Sequence, residues 1–193
     1  LNGGVRDYTE FQSQLLERWL STDEVINQFL VHYKTGAVIP QELVAKIKKA
    51  ATFNQGFGTT EYLASALMDM KLHLADPENI DIDAFERDTL AELKMPTELP
   101  MRHRTPHFGH VFSGEGYATA YYGYMWADVL TADAAEAFQE APGGFYDKDL
   151  AQRLVKYLFE PRNSIDPAEA YRLFRGRDAQ KEALMRDRGF PVN

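Results

Sequence analysis

Apolar residues recur three and four positions apart along most of the chain, and no apolar–polar alternation runs long enough to require a sheet. That pattern confines the chain to an all-α fold. From Asp7 to Leu20 the residues Phe11, Leu15 and Trp19, with Leu16 and Leu20, predict a first helix. Thr22 or Asp23 is placed to cap a second, which carries Val25, Ile26, Phe29, Leu30 and Tyr33 and stops at Gly36. Pro40 introduces a third with Leu43, Val44, Ile47 and Ala51 on one face, ended by Asn54-Gln55-Gly56. A fourth is expected from Thr59 to Ala75, and a fifth, capped by Asp83, before Pro96. Residues 95–116 hold Pro96, Pro100, Pro106 and three of the five histidines without a sustained period, which predicts a long irregular connection. A tyrosine-rich helix from Tyr117 to Gln139 follows. Three shorter helices close the chain: Lys148 to Phe159, one begun by Asp166-Pro167, and one after Gly176 capped by Asp178 and stopped at Gly189.

Composition narrows the chemistry. The 193 residues can bury roughly 70% of their unfolded surface, enough for a core without staples. With Cys 0 there is no disulfide, no thiol nucleophile and no Cys-ligated zinc, so any metal is held by His, Asp or Glu. Lys+Arg 21 against Asp+Glu 29 leaves a net charge of -8, which lacks the electrostatic footprint of nucleic-acid binding. No apolar run is long enough to suggest a membrane span. The chain opens on Leu1-Asn2-Gly3-Gly4, with neither an initiating methionine nor a signal-peptide profile, and is expected to be a piece of a longer protein.

Tyr117, Tyr121 and Tyr124 stand at i, i+4 and i+7, so a helix there projects three phenols from one face. A phenol donates a hydrogen bond at neutral pH without carrying charge, which suits it to a developing oxyanion or a peptide carbonyl. The same spacing equally describes core aromatics with satisfied hydroxyls. His103, His107 and His110 lie in the preceding loop, where their spacing is a weak metal signal; Gly114 and Gly116 allow that loop to bend over a ligand. Glu10 and Glu17, seven apart on the first helix, read alone as solvated carboxylates. No His-Glu-x-x-His, phosphate loop, dinucleotide fingerprint or nucleophile elbow occurs.

The segment Asp7-Tyr8-Thr9-Glu10-Phe11-Gln12-Ser13-Gln14-Leu15-Leu16-Glu17-Arg18-Trp19 resembles the one that follows the zinc-binding helix in the thimet oligopeptidase family of zinc metallopeptidases. Phe53-Asn54-Gln55-Gly56-Phe57, the block from His107 to Trp126, and Phe174-Arg175-Gly176-Arg177-Asp178 with Arg186-Asp187-Arg188-Gly189-Phe190 resemble later family blocks in the same order. Gln12 departs from a proline common there. The resemblance spans essentially the whole chain and implies residues 1–193 of an irregular multi-helix, zincin-like, neurolysin-type catalytic domain, without its upstream His-Glu-x-x-His helix. It implies that Glu10 is the third zinc ligand, that His110 and Tyr117 contact substrate from the loop, and that Tyr121 and Tyr124 face the scissile peptide. Tyr124 is then the first choice for the oxyanion, with Tyr117 and His110 assisting. The implied reaction is zinc-assisted hydrolysis of short peptides, release of C-terminal dipeptides (peptidyl-dipeptidase action) ahead of oligopeptidase cleavage. Zinc is expected in the full-length enzyme and absent or weakly bound in this portion, which alone is expected to be inactive. Cytoplasmic localisation is a family-level expectation, and faces left without their packing partner are expected to promote self-association. The competing reading is a non-catalytic helical peptide-binding module.

Overall fold

The computed structural model describes residues 5–192; Leu1 to Gly4 and Asn193, which the expected 1–193 unit includes, lie outside the described residues. Among the described residues the chain is all-α, with ten α-helices, short 3-10 turns, one π-helical stretch and an isolated β-bridge between Val31 and Val38. It forms two compact units, one from the residues up to Phe53 together with those from Met125 onward, the other Asn54–Tyr124.

The first unit opens with α1 (Phe11–Glu17) between 3-10 turns at Arg6–Tyr8 and Arg18–Ser21, so the helix expected from Asp7 to Leu20 is three segments. Thr22 caps α2 (Asp23–Phe29) by accepting from the Val25 amide. This helix ends before Leu30 and Tyr33, contrary to expectation, because Leu30 turns to ψ 72 and sends Val31 back to pair with Val38. Pro40 starts α3 (Gln41–Ala50) as anticipated, but Asn54, at φ 54, does not end a segment so much as start the next. It stands as N-cap to α4 (Gln55–Leu74), four residues ahead of the expected start.

In the second unit, α5 (Ile82–Glu92) is capped by Asp81, whose carboxylate accepts from Ala84, and not by Asp83. Asp83 instead pairs with Arg104 at 2.6 Å. The irregular connection contains a 3-10 turn at Thr105–His107 and α6 (Gly109–Phe112). The tyrosine helix, α7 (Gly123–Glu140), begins six residues later than expected: Tyr117 to Tyr122 are turns, and Thr119 takes φ 59, which no α-helix accommodates.

Back in the first unit, Asp147 caps α8 (Lys148–Leu154), which runs into the π-helical Val155–Phe159. Asp166 caps α9 (Pro167–Arg175) with Pro167 inside the first turn, and Gly176 ends it at φ 84, a left-handed position that disfavours any residue with a Cβ. The last helix, α10 (Lys181–Asp187), is preceded by Gln180; Asp178 leaves the capping role and pairs with Arg172 at 2.7 Å. Phe11 and Leu15 of α1 meet Leu130, Ala134 and Phe138 of α7, Leu154 and Leu158, and Tyr171 and Phe174 of α9 in one core. A fully buried Leu or Phe among them contributes about 1.5–3 kcal/mol of apolar transfer free energy.

Charged groups of α7 in this unit are met by arginines of the closing blocks. Asp133, fully buried on α7, accepts the Tyr171 hydroxyl at 2.8 Å and faces Arg177 at 2.8 Å and Arg175 at 3.4 Å. Burial, then the Asp133 charge, pushes the Tyr171 pKa above the ordinary phenol value. Arg175 also grips Glu140, Arg186 grips Glu136 with two bonds, and Arg188 holds Asp128 at 2.8 Å. The arginines of the closing blocks are thus fasteners onto the acidic side of α7.

Candidate functional site

Four of the five expected site residues fall in the second unit and converge there. His110 Nε2 lies 2.9 Å from the Tyr124 hydroxyl. The His110 ring is 4.4 Å from that of Tyr117 and 5.5 Å from that of Tyr121, centroid to centroid. Tyr117 and Tyr124 stack at 5.6 Å with their planes 6° apart, and Tyr121 meets Tyr124 edge-on at 5.6 Å. The grouping does not arise from one helical face, since only Tyr124 is in α7. Tyr117 and Tyr121 reach it from the turns before the helix, and His110 from the short α6. Tyr122 points elsewhere and is exposed.

The members differ in access. Tyr121 is 8% exposed, Tyr117 and Tyr124 are half-buried, and His110 is exposed. Tyr121 packs between Tyr62, stacked at 5.1 Å, and Phe108, edge-on at 4.8 Å. Its carbonyl accepts the Tyr62 hydroxyl. Arg102 donates to Glu61 at 2.9 and 3.1 Å, and the Tyr121 hydroxyl adds a smaller electrostatic contribution at the same guanidinium. Glu61 first, and Tyr121 after it, holds the Arg102 pKa above the ordinary guanidinium value.

Two buried carboxylates that the sequence reading passed over hold the backbone of this site. Asp69, 2% exposed on α4, accepts the Thr119 amide at 3.1 Å on Oδ1 and the Tyr121 amide at 3.1 Å on Oδ2. Glu86 on α5 accepts both the amide and the hydroxyl of Thr105 at 2.9 Å and faces Arg104 at 2.5 Å. Isolated buried carboxylates are costly, so each is informative. Nothing in their helical periodicity distinguishes them from surface acids, and their partners lie 50 and 19 residues away.

Glu10 belongs to the first unit. It is half-buried at the N-cap of α1, and its carbonyl accepts from the Gln14 amide and the Ser13 hydroxyl. Among the described residues no three His, Asp or Glu side chains are grouped to hold a metal. His103 stacks on Phe108 while His110 faces the tyrosines. A catalytic zinc takes three protein ligands, and a lone Glu10 does not fit that requirement. A cleft of about 760 Å³ in the first unit is lined by residues that include Gln14, Glu17, Arg18, Asp128 and Asp187, and none of the expected site residues lines it. No helix among the described residues is long and apolar enough to cross a membrane.

Comparison with known proteins finds relatives along nearly the whole chain. The profile of Peptidase family M3 matches residues 4–190. Dipeptidyl carboxypeptidase of Escherichia coli (strain K12) is 34% identical over 190 residues, covering 97% of this chain and 28% of the relative. Oligopeptidase A of the same organism is 33% identical over 193 residues, covering 98% and 28%. Saccharolysin of Saccharomyces cerevisiae (strain ATCC 204508 / S288c) is 30% identical over 195 residues, covering 95% and 26%. The chain thus spans a little over a quarter of the length of these relatives. With the match running from end to end of the described helices, the chain belongs to peptidase family M3, a family of zinc-dependent metallopeptidases.

Proposed function

We propose that this chain is the substrate-binding and third-ligand portion of a zinc peptidase that hydrolyses short peptides, removing C-terminal dipeptides in preference to cleaving internally. The observation that carries the reading is the His110–Tyr124 contact at 2.9 Å with Tyr117 stacked alongside. Tyr124 donates its hydroxyl proton in a hydrogen bond to the oxygen that gains charge as the scissile carbonyl becomes tetrahedral. His110, the exposed member, and Tyr117, half-buried beside it, hold the peptide backbone. Tyr121, its ring buried, meets Tyr124 edge-on and holds that ring in place. Glu10 would supply one carboxylate to the metal. The other donors and the general base are assigned outside these 193 residues, in which no His-Glu-x-x-His occurs. When bound, zinc supplies Lewis-acid polarisation and an acidified water.

The relatives' names favour this reading: one is a dipeptidyl carboxypeptidase, another an oligopeptidase. A net charge of -8 keeps nucleic acid out of it. Exposed apolar side chains at Phe29, Tyr33, Ile47 and Phe53 support self-association of the isolated chain. Calorimetric titration with a short peptide and with its phosphinic analogue, whose tetrahedral centre imitates the charged intermediate, tests the assignment. The phosphinate is expected to bind roughly tenfold or more tightly, with the preference lost in Tyr124→Phe and kept in Tyr122→Phe. Equal affinities would overturn the oxyanion role and leave a peptide-binding module.

A further inference from the structure

We infer that Asp69, acting with His73, is a positioning residue that fixes both ends of the glycine-containing loop 113–118 and so sets how Tyr117 and Tyr124 meet a peptide. The inference rests on the proposed function for what the loop presents, and on geometry for how it is held. Asp69 and His73 are four residues apart on one face of α4. At the far end of the loop, the Asp69 carboxylate takes the amides of Thr119 and Tyr121. At the near end, the His73 ring stacks on Phe112, the last residue of α6, at 5.3 Å and 24°. The two anchors are tied to each other: His73 Nδ1 is 2.9 Å from both the Asp69 Oδ1 and the Asp69 carbonyl oxygen.

Between these points Ser113 to Gly116 are exposed, and Gly114 takes φ 154. Thr119 shows the grip of the far anchor. A β-branched residue at φ 59 is strained, and it persists only where the surroundings hold it. Its amide is one of the two that Asp69 holds. The held tripeptide, Thr119-Ala120-Tyr121, lies between Tyr117 and Tyr124, so its setting decides the stack of those two rings.

Asparagine at position 69 keeps the shape, but has one acceptor oxygen and turns an NH2 toward an N–H donor. Hydrogen exchange and phosphinate titration on Asp69→Asn, His73→Gln and the double variant test the inference. In Asp69→Asn the amides of Thr119 and Tyr121 are expected to exchange roughly tenfold or more faster, while the amides within α4 are unchanged. Phosphinate affinity is expected to fall roughly tenfold. His73→Gln is expected to weaken binding less, and the double variant less than the product of the two, because the anchors act as one. Wild-type affinity in Asp69→Asn, or independent multiplication of the two effects, would overturn the inference. Should Asp69→Asn fail to fold, His73→Gln decides, since it leaves both amide bonds in place: unchanged binding would refute the paired anchor. A wild-type chain that does not bind the phosphinate at all refutes the functional reading instead.

Discussion

Replacing Asp133 by asparagine is expected to destabilise the first unit by about 2–3 kcal/mol. Asp133 is fully buried and serves the Tyr171 hydroxyl at 2.8 Å, Arg177 at 2.8 Å and Arg175 at 3.4 Å. Removing one member of a buried charge pair costs about 3–5 kcal/mol when the survivor is stranded. Here the survivors are partly provided for. Arg175 keeps Glu140 at 2.8 and 3.0 Å, and Arg177, its side chain 33% exposed, can hydrate. Asparagine also remains able to accept from Tyr171. The cost therefore falls below the stranded limit but stays above that of Tyr171→Phe, which loses one phenol's bonds and about 1–2 kcal/mol. Asp133→Leu should be worst of the three, since it removes the acceptor from Arg177 and from Arg175 Nε and leaves the Tyr171 hydroxyl only the Leu130 carbonyl. Urea unfolding followed by helical circular dichroism and by the fluorescence of Trp19, which packs edge-on against Phe138 at 5.1 Å, reads the unit directly. With a slope of about 2 kcal/mol/M, the midpoint of Asp133→Asn should drop by roughly 1 M. A change within about 0.5 kcal/mol of wild type would refute the claim that this carboxylate fastens the closing arginines to α7.

Other expectations follow from the same contacts. Phe174→Ala, at a side chain 1% exposed, should cost about 3–5 kcal/mol in the same urea assay. Asp166→Ala removes the carboxylate that accepts the Glu169 amide at 3.0 Å and should cost about 1 kcal/mol, with the loss recovered by serine. Two acids should respond to pH in opposite senses. Arg175 holds the Glu140 pKa below the ordinary carboxylate range, so its stabilisation is present above that range and lost as pH falls through the lower folded value. Burial raises the Asp128 pKa despite Arg188, so its contribution is present at low pH and lost as pH rises through the raised value. Relative to wild type, Glu140→Gln should therefore lose stability, and Asp128→Asn gain it, as pH rises through the carboxylate range. The homogeneous 193-residue chain should release no dipeptide from a short peptide with zinc added; chelator-sensitive release would contradict the assignment of the remaining metal donors elsewhere.

Helices whose boundaries are set by adjacent residues were legible in the sequence. Thr22, Asp166-Pro167 and Gly176 each act within three or four positions of themselves, and each stands where local chemistry puts it. The start of α7 was not legible. Periodicity carries a helix back to Tyr117, but a carboxylate 50 residues earlier takes the Thr119 amide and holds that residue at φ 59. The convergence of Tyr117, Tyr121 and Tyr124 was expected for a reason that does not hold, a shared helical face. It is reached by turns that Asp69 and Tyr62 pin from a distance. Likewise the cap expected at Asp83 falls to Asp81, because Arg104, 21 residues on, engages Asp83 while Asp81 accepts the Ala84 amide.

The stacked rings of the second unit have an optical consequence. Five of the ten tyrosines fall between Tyr62 and Tyr124, and four of them lie within ring-stacking or edge-contact range of one another. Both tryptophans, Trp19 and Trp126, belong to the other unit. Aromatic transitions coupled at 5.1 to 5.6 Å give near-ultraviolet ellipticity that changes sign and size with small rotations of one ring against the next. The tyrosine cluster thus carries its own chromophore, so that a change in its packing can be timed in a stopped-flow instrument on the unlabelled chain, while tryptophan emission reports the remainder separately.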